Sequence, residues 1–119
     1  MPRIAIIDSD ATTREALALI VADCGFEAVT AASLDRLTGR IGPRSEIAGA
    51  IIDVPTVAVA RLPEAQGRLD AIAGNALPVL AIGVPPRWRG GDEASPLTVL
   101  SKPSSPEAIV AWLEALRLR

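Results

Sequence analysis

The sequence is poor in the residues that enzymes most often use for acid–base and redox chemistry. Its 119 residues include no histidine, no tyrosine and one cysteine, Cys24. Without histidine the chain lacks the commonest general base and every Ser-His or Cys-His pair, and it cannot be a histidine phosphocarrier. A single cysteine allows no intramolecular disulfide and no cysteine metal cage, which fits a reducing cytoplasm. We therefore expect a cytoplasmic protein that is not an enzyme.

Signals for membranes, nucleic acids and nucleotides are also missing. No apolar run approaches the roughly 20 residues needed to span a bilayer, and the first three residues lead into a strand-like run without a secretory signal. The net charge is −2, with acidic and basic residues mixed along the chain. There is thus no basic stripe for DNA or RNA and no polybasic membrane patch. Neither GxGxxG nor GxxxxGKS/T follows the first run, which leaves a nucleotide-binding enzyme as a weakly supported alternative.

The apolar residues that are present indicate one α/β domain over residues 1–119. Half of the residues are hydrophobic but only 3% are aromatic, so aliphatic side chains must build the core. Short apolar runs alternate with segments of helical period, which is typical of strands and helices around a parallel sheet. The first and third runs are continuously apolar, so we expect both faces of those strands to be covered. The runs comprise residues 3–8, 27–31, 48–53, 77–82 and 97–100.

Two helices are marked by apolar stripes and by end signals. After the first run, apolar residues at 17, 20, 21 and 24 share one helical face, which Asp10 or the Thr12–Glu15 pair can cap and Gly25 can end. The last helix has Ser105 as its cap and Pro106 in its first turn. Between the fourth and fifth runs, a Pro-Pro and a Gly-Gly pair leave room for at most a short helix.

Three further side chains allow a structural or a functional interpretation. Cys24 and Trp112 lie on apolar helical stripes, which favours burial in the core. Trp88 stands between two arginines, where it could stack on a partner or a nucleotide. A partly buried anchor in a loop is the favoured interpretation of Trp88.

Polar residues follow several strand-like runs, and they define the candidate site. Asp8 and Asp10 follow the first run, Asp53 ends the third, and Lys102 follows the fifth. In an open parallel sheet, ligands bind outside the carboxyl ends of the strands. Carboxylates there can hold Mg²⁺, and an ammonium group can neutralise charge on a transferred phosphoryl group. The alternatives are that Asp8 and Asp53 cap turns and that Lys102 is a solvated surface residue.

Lys102 is the only lysine, because the other eleven basic residues are arginines. An ammonium group is a compact point charge, whereas a guanidinium group is broad and planar. A narrow oxyanion pocket can therefore require lysine where a solvent-facing position would not. The exception favours a specific role for this side chain.

The segments RIAIIDSD, AGAIID, LPVLAIG and LSKPSSPEAI resemble, in order and spacing, the receiver domains of response regulators in two-component signalling. The resemblance covers nearly the whole chain and implies a doubly wound (βα)5 flavodoxin-like fold. Its five-stranded parallel sheet would have the order 2-1-3-4-5, with the fourth helix short or absent. It further implies that Asp53 is the phospho-acceptor, that Asp8 is the first acid of the metal-binding pair, and that Lys102 contacts the phosphoryl group. The Lys102–Pro103 bond would be cis, and the phosphodonor would be a histidine kinase or a histidine phosphotransfer protein.

Four positions depart from the receiver pattern. Ser9 replaces the second acid, which weakens the expected Mg²⁺ site unless Asp10 compensates beside Asp8 and Asp53; the other interpretation of Asp10 is a helix cap. Gly83 replaces the family's Thr or Ser, whose hydroxyl turns toward the phosphoryl group. Val99 replaces its Tyr or Phe, whose rotamer change accompanies that motion, so both side chains that respond to phosphorylation in the family are missing. The loop after the acceptor reads Val54-Pro55-Thr56, which predicts a reshaped turn.

These departures support a second hypothesis beside a working receiver. In that hypothesis the chain is a pseudo-receiver that acts through homodimerisation or partner docking without phosphorylation. Ser9, Gly83 and Val99 motivate it, whereas the spacing of Asp8, Asp53 and Lys102 favours phosphoryl chemistry.

Overall fold

Strands and helices alternate from the first strand to the fourth in the order that the apolar runs predict. The computed structural model describes residues 2–41, 46–85, 88 and 96–118. Its strands are β1 (Arg3–Ile7), β2 (Glu27–Ala31), β3 (Ile47–Asp53), β4 (Val79–Ile82) and β5 (Leu97–Leu100). Its helices are α1 (Ala11–Asp23), α2 (Leu34–Arg40), α3 (Leu62–Ala73) and α4 (Pro106–Arg117), and a 3-10 turn at Val59–Arg61 precedes α3.

The five strands form one parallel sheet in the order β2-β1-β3-β4-β5, which confirms the predicted topology. The register aligns the carboxyl ends of the central strands, since Ile7 lies beside Ile52 and Asp53 lies beside Ile82. The same alignment continues from Ile82 to Leu100 at the end of β5. The residues that follow these strands therefore meet along one edge of the sheet.

Both faces of the sheet are covered, as a doubly wound fold requires. Successive side chains of a strand point to opposite faces. Ile4 and Ile6 thus pack in a cluster with residues of α1 and α4, whereas Ala5 and Ile7 pack in a second cluster with residues of α2 and α3. Ile4, Ala5, Ile6 and Ile7 are each fully buried. The continuously apolar sequence of β1 follows directly from this two-sided burial.

The helix ends agree with the sequence signals, with one choice resolved. The side chain of Asp10 accepts a hydrogen bond from the backbone N–H of Thr13, so Asp10 rather than Thr12 caps α1. Thr12 cannot be the cap because α1 already begins at Ala11. Gly25 follows α1 with φ +88°, and Ser105 caps α4 just before Pro106.

The fourth strand, β4, is two residues shorter than its apolar run. The fourth run starts at residue 77, but β4 begins at Val79. The backbone N–H of Leu77 donates to the Asp70 carboxylate at 2.8 Å instead of to a neighbouring strand. Pro78 has no backbone N–H, so this segment can donate hydrogen bonds to a neighbouring strand only from Val79 onward.

The predicted short or absent fourth helix falls mostly on residues 86–87 and 89–95, which lie outside the described residues. Trp88 is partly buried and packs against one core cluster, as expected of a loop anchor. Cys24 is buried in the other cluster, and Trp112 packs against it. No helix in the described part of the chain is long and apolar enough to cross a bilayer.

Candidate functional site

The predicted site residues Asp8, Asp53 and Lys102 meet at the carboxyl edge of the sheet. Asp8 follows β1, Asp53 ends β3, and Lys102 lies two residues after β5. The three side chains line one cavity of about 200 Å³. Its remaining walls include the apolar residues Leu17 and Ile109 of α1 and α4. The convergence that the strand ends predict is therefore present.

Lys102 forms the closest charged contact of the site. Its Nζ donates to Oδ1 of Asp53 at 2.5 Å and to the backbone carbonyl of Val54 at 2.9 Å. The Asp53 side chain is only 11% exposed, whereas that of Lys102 is 49% exposed. The lysine thus reaches from solvent to a nearly buried carboxylate. The Lys102–Pro103 bond is cis, as the resemblance implies, and the Val54–Pro55 bond is cis as well.

Thr56 is a site residue that the sequence reasoning did not identify. Its Oγ1 donates to Oδ2 of Asp53 at 2.6 Å, and its backbone N–H donates to the same oxygen at 3.3 Å. The signal for it was available, since a threonine three residues after an aspartate can bond back to that carboxylate in a turn. Asp53 therefore has a partner on each of its two oxygens.

Ser9 extends this contact to the end of β1. The Ser9 N–H donates to Oγ1 of Thr56 at 3.0 Å, and the two hydroxyl oxygens are 3.1 Å apart. Thr56 has one hydroxyl proton, and the shorter bond to Asp53 uses it. The Ser9 hydroxyl must then donate in the contact between the two side chains. We call this chain of contacts, from Ser9 through Thr56 to Asp53, the hydroxyl bridge.

The surroundings of Asp53 favour its ionised form. Burial by itself raises the pKa of a carboxyl group, but the hydrogen bonds from Lys102 and Thr56 outweigh it. The net effect lowers the pKa of Asp53 below its ordinary value. Asp53 is consequently a carboxylate at neutral pH, which is the state that a nucleophile or an ion-pair partner needs.

Asp8 is shifted in the opposite direction. It is only 3% exposed, and burial raises its pKa. The hydrogen bond that its Oδ1 accepts from the Asp10 N–H, at 2.8 Å, opposes this effect, and the nearby Asp53 charge adds to it. Arg14 donates to the Asp8 backbone carbonyl at 2.8 Å rather than to its carboxylate.

The structure does not bring Asp10 together with Asp8 and Asp53 as a metal-binding triad. Both Asp10 contacts with Thr13 use Oδ2, which accepts from the backbone N–H at 3.0 Å and from the hydroxyl at 2.5 Å. The hydroxyl contact is the main cause that lowers the pKa of Asp10. The physical reason for the separation is that α1 begins at Ala11, so capping directs this carboxylate toward the helix.

The receiver resemblance implies Mg²⁺, but the residues at this site do not fit a resident ion. Among the described residues, no group of three His, Cys, Asp or Glu side chains could hold a metal. The position of the second acid is Ser9, whose neutral hydroxyl is bonded to Thr56. Mg²⁺ demands near-ideal octahedral coordination and usually takes one or two carboxylates with other hard oxygens. Here both oxygens of Asp53, Oδ1 of Asp8 and the hydroxyls of Ser9 and Thr56 already have partners within the protein.

At Gly83 the backbone lies so close to the Val54 carbonyl and the Lys102 side chain that a Cβ would collide with them. Its φ is +104°, and a Cβ there would lie 2.5 Å from the Val54 carbonyl oxygen and 3.0 Å from Cε of Lys102. The lysine side chain therefore occupies space where a larger residue at position 83 would stand. Val99, at the position of the family's aromatic residue, is 41% exposed. Neither position carries the hydroxyl or the aromatic ring that the receiver pattern has there.

Comparison with known proteins relates this fold to solved structures. No protein-family model matches the chain, and no curated protein matches it. A response regulator receiver domain protein from Bacillus halodurans is 14% identical with a TM-score of 0.74, over 98% of this chain and 97% of that one. A chemotaxis protein from Vibrio cholerae is 21% identical with a TM-score of 0.73, over 98% of both chains. A receiver protein from Burkholderia phymatum is 23% identical with a TM-score of 0.68, over 98% and 94%.

The chain therefore has the fold of response-regulator receiver domains. At these identities the likeness concerns the fold, and the resemblance that the sequence motifs indicate is confirmed at that level.

Proposed function

We propose that this chain is a receiver module of two-component signal transduction, acting in the cytoplasm, and that Asp53 is its phospho-acceptor. The observation that carries the proposal is the ion pair between Asp53 and Lys102, on a receiver fold, at the edge of the sheet where ligands bind. The proposed phosphodonor is a histidine kinase or a histidine phosphotransfer protein. The chain would act as a signalling module rather than as an enzyme.

The chemistry that this geometry supports is a single displacement at phosphorus. An oxygen of Asp53 attacks the phosphorus of a phosphohistidine, the P–O bond forms, and the P–N bond breaks. The imidazole ring, which carries a proton on its other nitrogen, keeps the electron pair of the P–N bond and leaves as neutral imidazole. The lowered pKa of Asp53 keeps its carboxylate ready to attack, and the Lys102 ammonium can pair with the negative phosphoryl oxygens.

Intact-mass measurement tests the proposal. Incubation of the protein with a small phosphodonor, with and without Mg²⁺, should add the mass of one phosphoryl group. Asp53→Asn should abolish the gain because it removes the nucleophile, and Lys102→Met should reduce it strongly. Asp23→Asn is the matched control, because Asp23 is exposed at the end of α1 that is remote from the site. A gain that survives Asp53→Asn, or no gain with any donor, would contradict the proposal.

A phosphorylation-independent interaction module is the second candidate. It is favoured by the limited access to Asp53, whose side chain is 11% exposed and whose two oxygens are both bonded. Gly83 and Val99 also lack the groups that report phosphorylation in the family. Such a module would dimerise or dock on a partner in one fixed state.

The two candidates differ in their response to a phosphate mimic. A working receiver should change its association, or its amide NMR spectrum beyond the site, when beryllofluoride and Mg²⁺ are added. The interaction module should show the same sedimentation profile with and without them, and the same profile for Asp53→Asn. A clear shift in oligomeric state on adding both reagents would eliminate the second candidate.

A further inference from the structure

The hydroxyl bridge joins two segments that are distant in sequence. Ser9 follows β1 and Thr56 follows β3, so the contact between them spans 47 residues of chain. Local turn formation cannot produce such a contact by itself. It requires the sheet to align the ends of β1 and β3, and in return it ties the loop after β1 to the loop after β3.

The bridge satisfies the groups that it connects. Oγ1 of Thr56 accepts from the Ser9 N–H and from the Ser9 hydroxyl, and it donates to Oδ2 of Asp53. Lys102 occupies Oδ1 of the same carboxylate. Each Asp53 oxygen thus accepts a hydrogen bond from a side chain. The Thr56 hydroxyl donates its one proton and accepts two hydrogen bonds, so its hydrogen-bonding capacity is used in full.

The charge at this edge is less negative than that of a site with three acids. Asp8 and Asp53 contribute two negative charges when ionised, and Lys102 contributes a positive charge in direct contact with one of them. Ser9 adds none, whereas an acid at that position would add a third negative charge. A divalent ion would have to displace the Thr56 hydroxyl or the Lys102 ammonium from Asp53, and besides the Asp8 carboxylate it would gain only neutral oxygens from Ser9 and Thr56.

We propose that Thr56, oriented by Ser9, is a positioning residue that holds Asp53 in place of a metal ion. The acceptor site is then assembled by protein hydroxyls and does not recruit a divalent cation. The prediction that the site recruits no divalent cation does not depend on whether Asp53 is phosphorylated. The consequence for phosphoryl transfer, namely that added Mg²⁺ does not accelerate it, rests on the proposed function.

Paramagnetic Mn²⁺ is a direct probe of metal at this site. Titration of the wild-type protein with millimolar MnCl₂ should leave the amide NMR signals of Asp8, Ser9 and Asp53 no broader than those of other exposed segments. The double variant Ser9→Asp/Thr56→Val removes the bridge and adds a carboxylate. It should bind Mn²⁺ at least tenfold more tightly, with broadening centred on these positions. Broadening of the same signals beyond that of other segments in the wild-type protein at millimolar MnCl₂ would overturn the proposal.

Amide hydrogen exchange tests the bridge without any metal. Since the Ser9 N–H donates to the Thr56 side chain, Thr56→Val should speed Ser9 exchange by up to about tenfold, the effect of losing one net hydrogen bond. Thr56→Ser keeps the hydroxyl and should restore slow exchange. The amide of Thr13 bonds to Asp10 and serves as the internal control, which should not change. Equal exchange of Ser9 in wild type and Thr56→Val would overturn the bridge.

The outcomes separate this inference from the proposed function. Failure of every variant to accept a phosphoryl group contradicts the function but leaves the Mn²⁺ and exchange results as the test of the bridge. Metal binding at this site by the wild-type protein overturns the proposal that the hydroxyl bridge replaces a metal ion, even if Asp53 is phosphorylated. The wild-type titration alone gives this answer, so it does not depend on the folding of the double variant.

Discussion

Two corners of the same sheet edge hold their aspartates by different physical means. The β1 corner comprises Asp8, Ser9, Asp10 and the start of α1, and the backbone N–H of Asp10 donates to its Asp8 carboxylate. The β3–β5 corner comprises Asp53 to Thr56, Gly83 and Lys102, and side chains supply the shortest bond to each Asp53 oxygen. Burial dominates the first corner and raises the pKa of Asp8, whereas hydrogen bonding dominates the second and lowers the pKa of Asp53.

The comparison teaches that neighbouring carboxylates can take different roles without any difference in residue type. Asp53, paired with an ammonium, suits attack on phosphorus, while Asp8, desolvated and nearby, adds negative charge only at a cost. The bridge from Ser9 to Thr56 is the direct connection between the two corners. Variants that change one corner alone should therefore show how much each corner contributes to the unfolding free energy and to the carboxyl pKa values.

The largest expected effect comes from filling the space at Gly83 in the β3–β5 corner. Gly83→Ala combines an unfavourable positive φ with a contact against the Val54 carbonyl, so we expect the free energy of unfolding to fall by about 2–3 kcal/mol. Gly74→Ala is the matched control, since Gly74 has φ +80° and nothing within 4 Å of a Cβ. Its loss should be about 1 kcal/mol. Urea unfolding measures both, and equal losses would argue against the close approach.

Breaking the ion pair should have an intermediate effect. Lys102→Met leaves the nearly buried Asp53 carboxylate without its cation, and we expect a loss of about 1–2 kcal/mol, reduced from a fully buried pair because the lysine is half exposed. In a double-mutant cycle with Asp53→Asn, the coupling should be about 1 kcal/mol. Arg68 and Asp35 form an exposed pair at 2.9 Å, and their coupling should be within about 0.5 kcal/mol of zero. Similar couplings for both pairs would remove the distinction between a buried and a surface contact here.

The smallest expected effect concerns the pH dependence of the two corners. In a ¹³C NMR titration of the carboxyl groups, Asp8 should titrate at higher pH than Asp53. Lys102→Met should raise both pKa values, and Asp53→Asn should lower that of Asp8, because each change removes a charge that acts on the neighbour. Titration of Asp8 below Asp53 would contradict the assignment of burial to one corner and hydrogen bonding to the other.

The sign of the stability effect follows from the same shifts. Asp53 has a lowered folded pKa, so its stabilisation is complete above its unfolded pKa of about 3.9 and is lost as the pH falls through the lower folded value. Asp8 has a raised folded pKa, so acidification through that value relieves a penalty instead. The difference in unfolding free energy between wild type and Asp53→Asn should therefore shrink at low pH.

Much of the fold follows from local patterns in the sequence. The continuous apolar runs of β1 and β3 predict strands buried on both faces, because only a covered parallel sheet removes every side chain of such a run from water. Ser105, Pro106 and Gly25 mark helix ends through backbone hydrogen bonding and φ preferences, which depend on few neighbouring residues. The ends of the strands also predict the meeting of Asp8, Asp53 and Lys102.

The tertiary structure alone decided how that site is completed. Ser9 by itself already predicts a weaker Mg²⁺ site, but a sequence gives no distance between Ser9 and Thr56, so the hydroxyl bridge emerges only when β1 and β3 are aligned. The space at Gly83 likewise depends on where Lys102 crosses it. The physical reason is that hydrogen bonds and steric contacts act over a few ångströms, which a folded chain brings together from segments far apart in sequence.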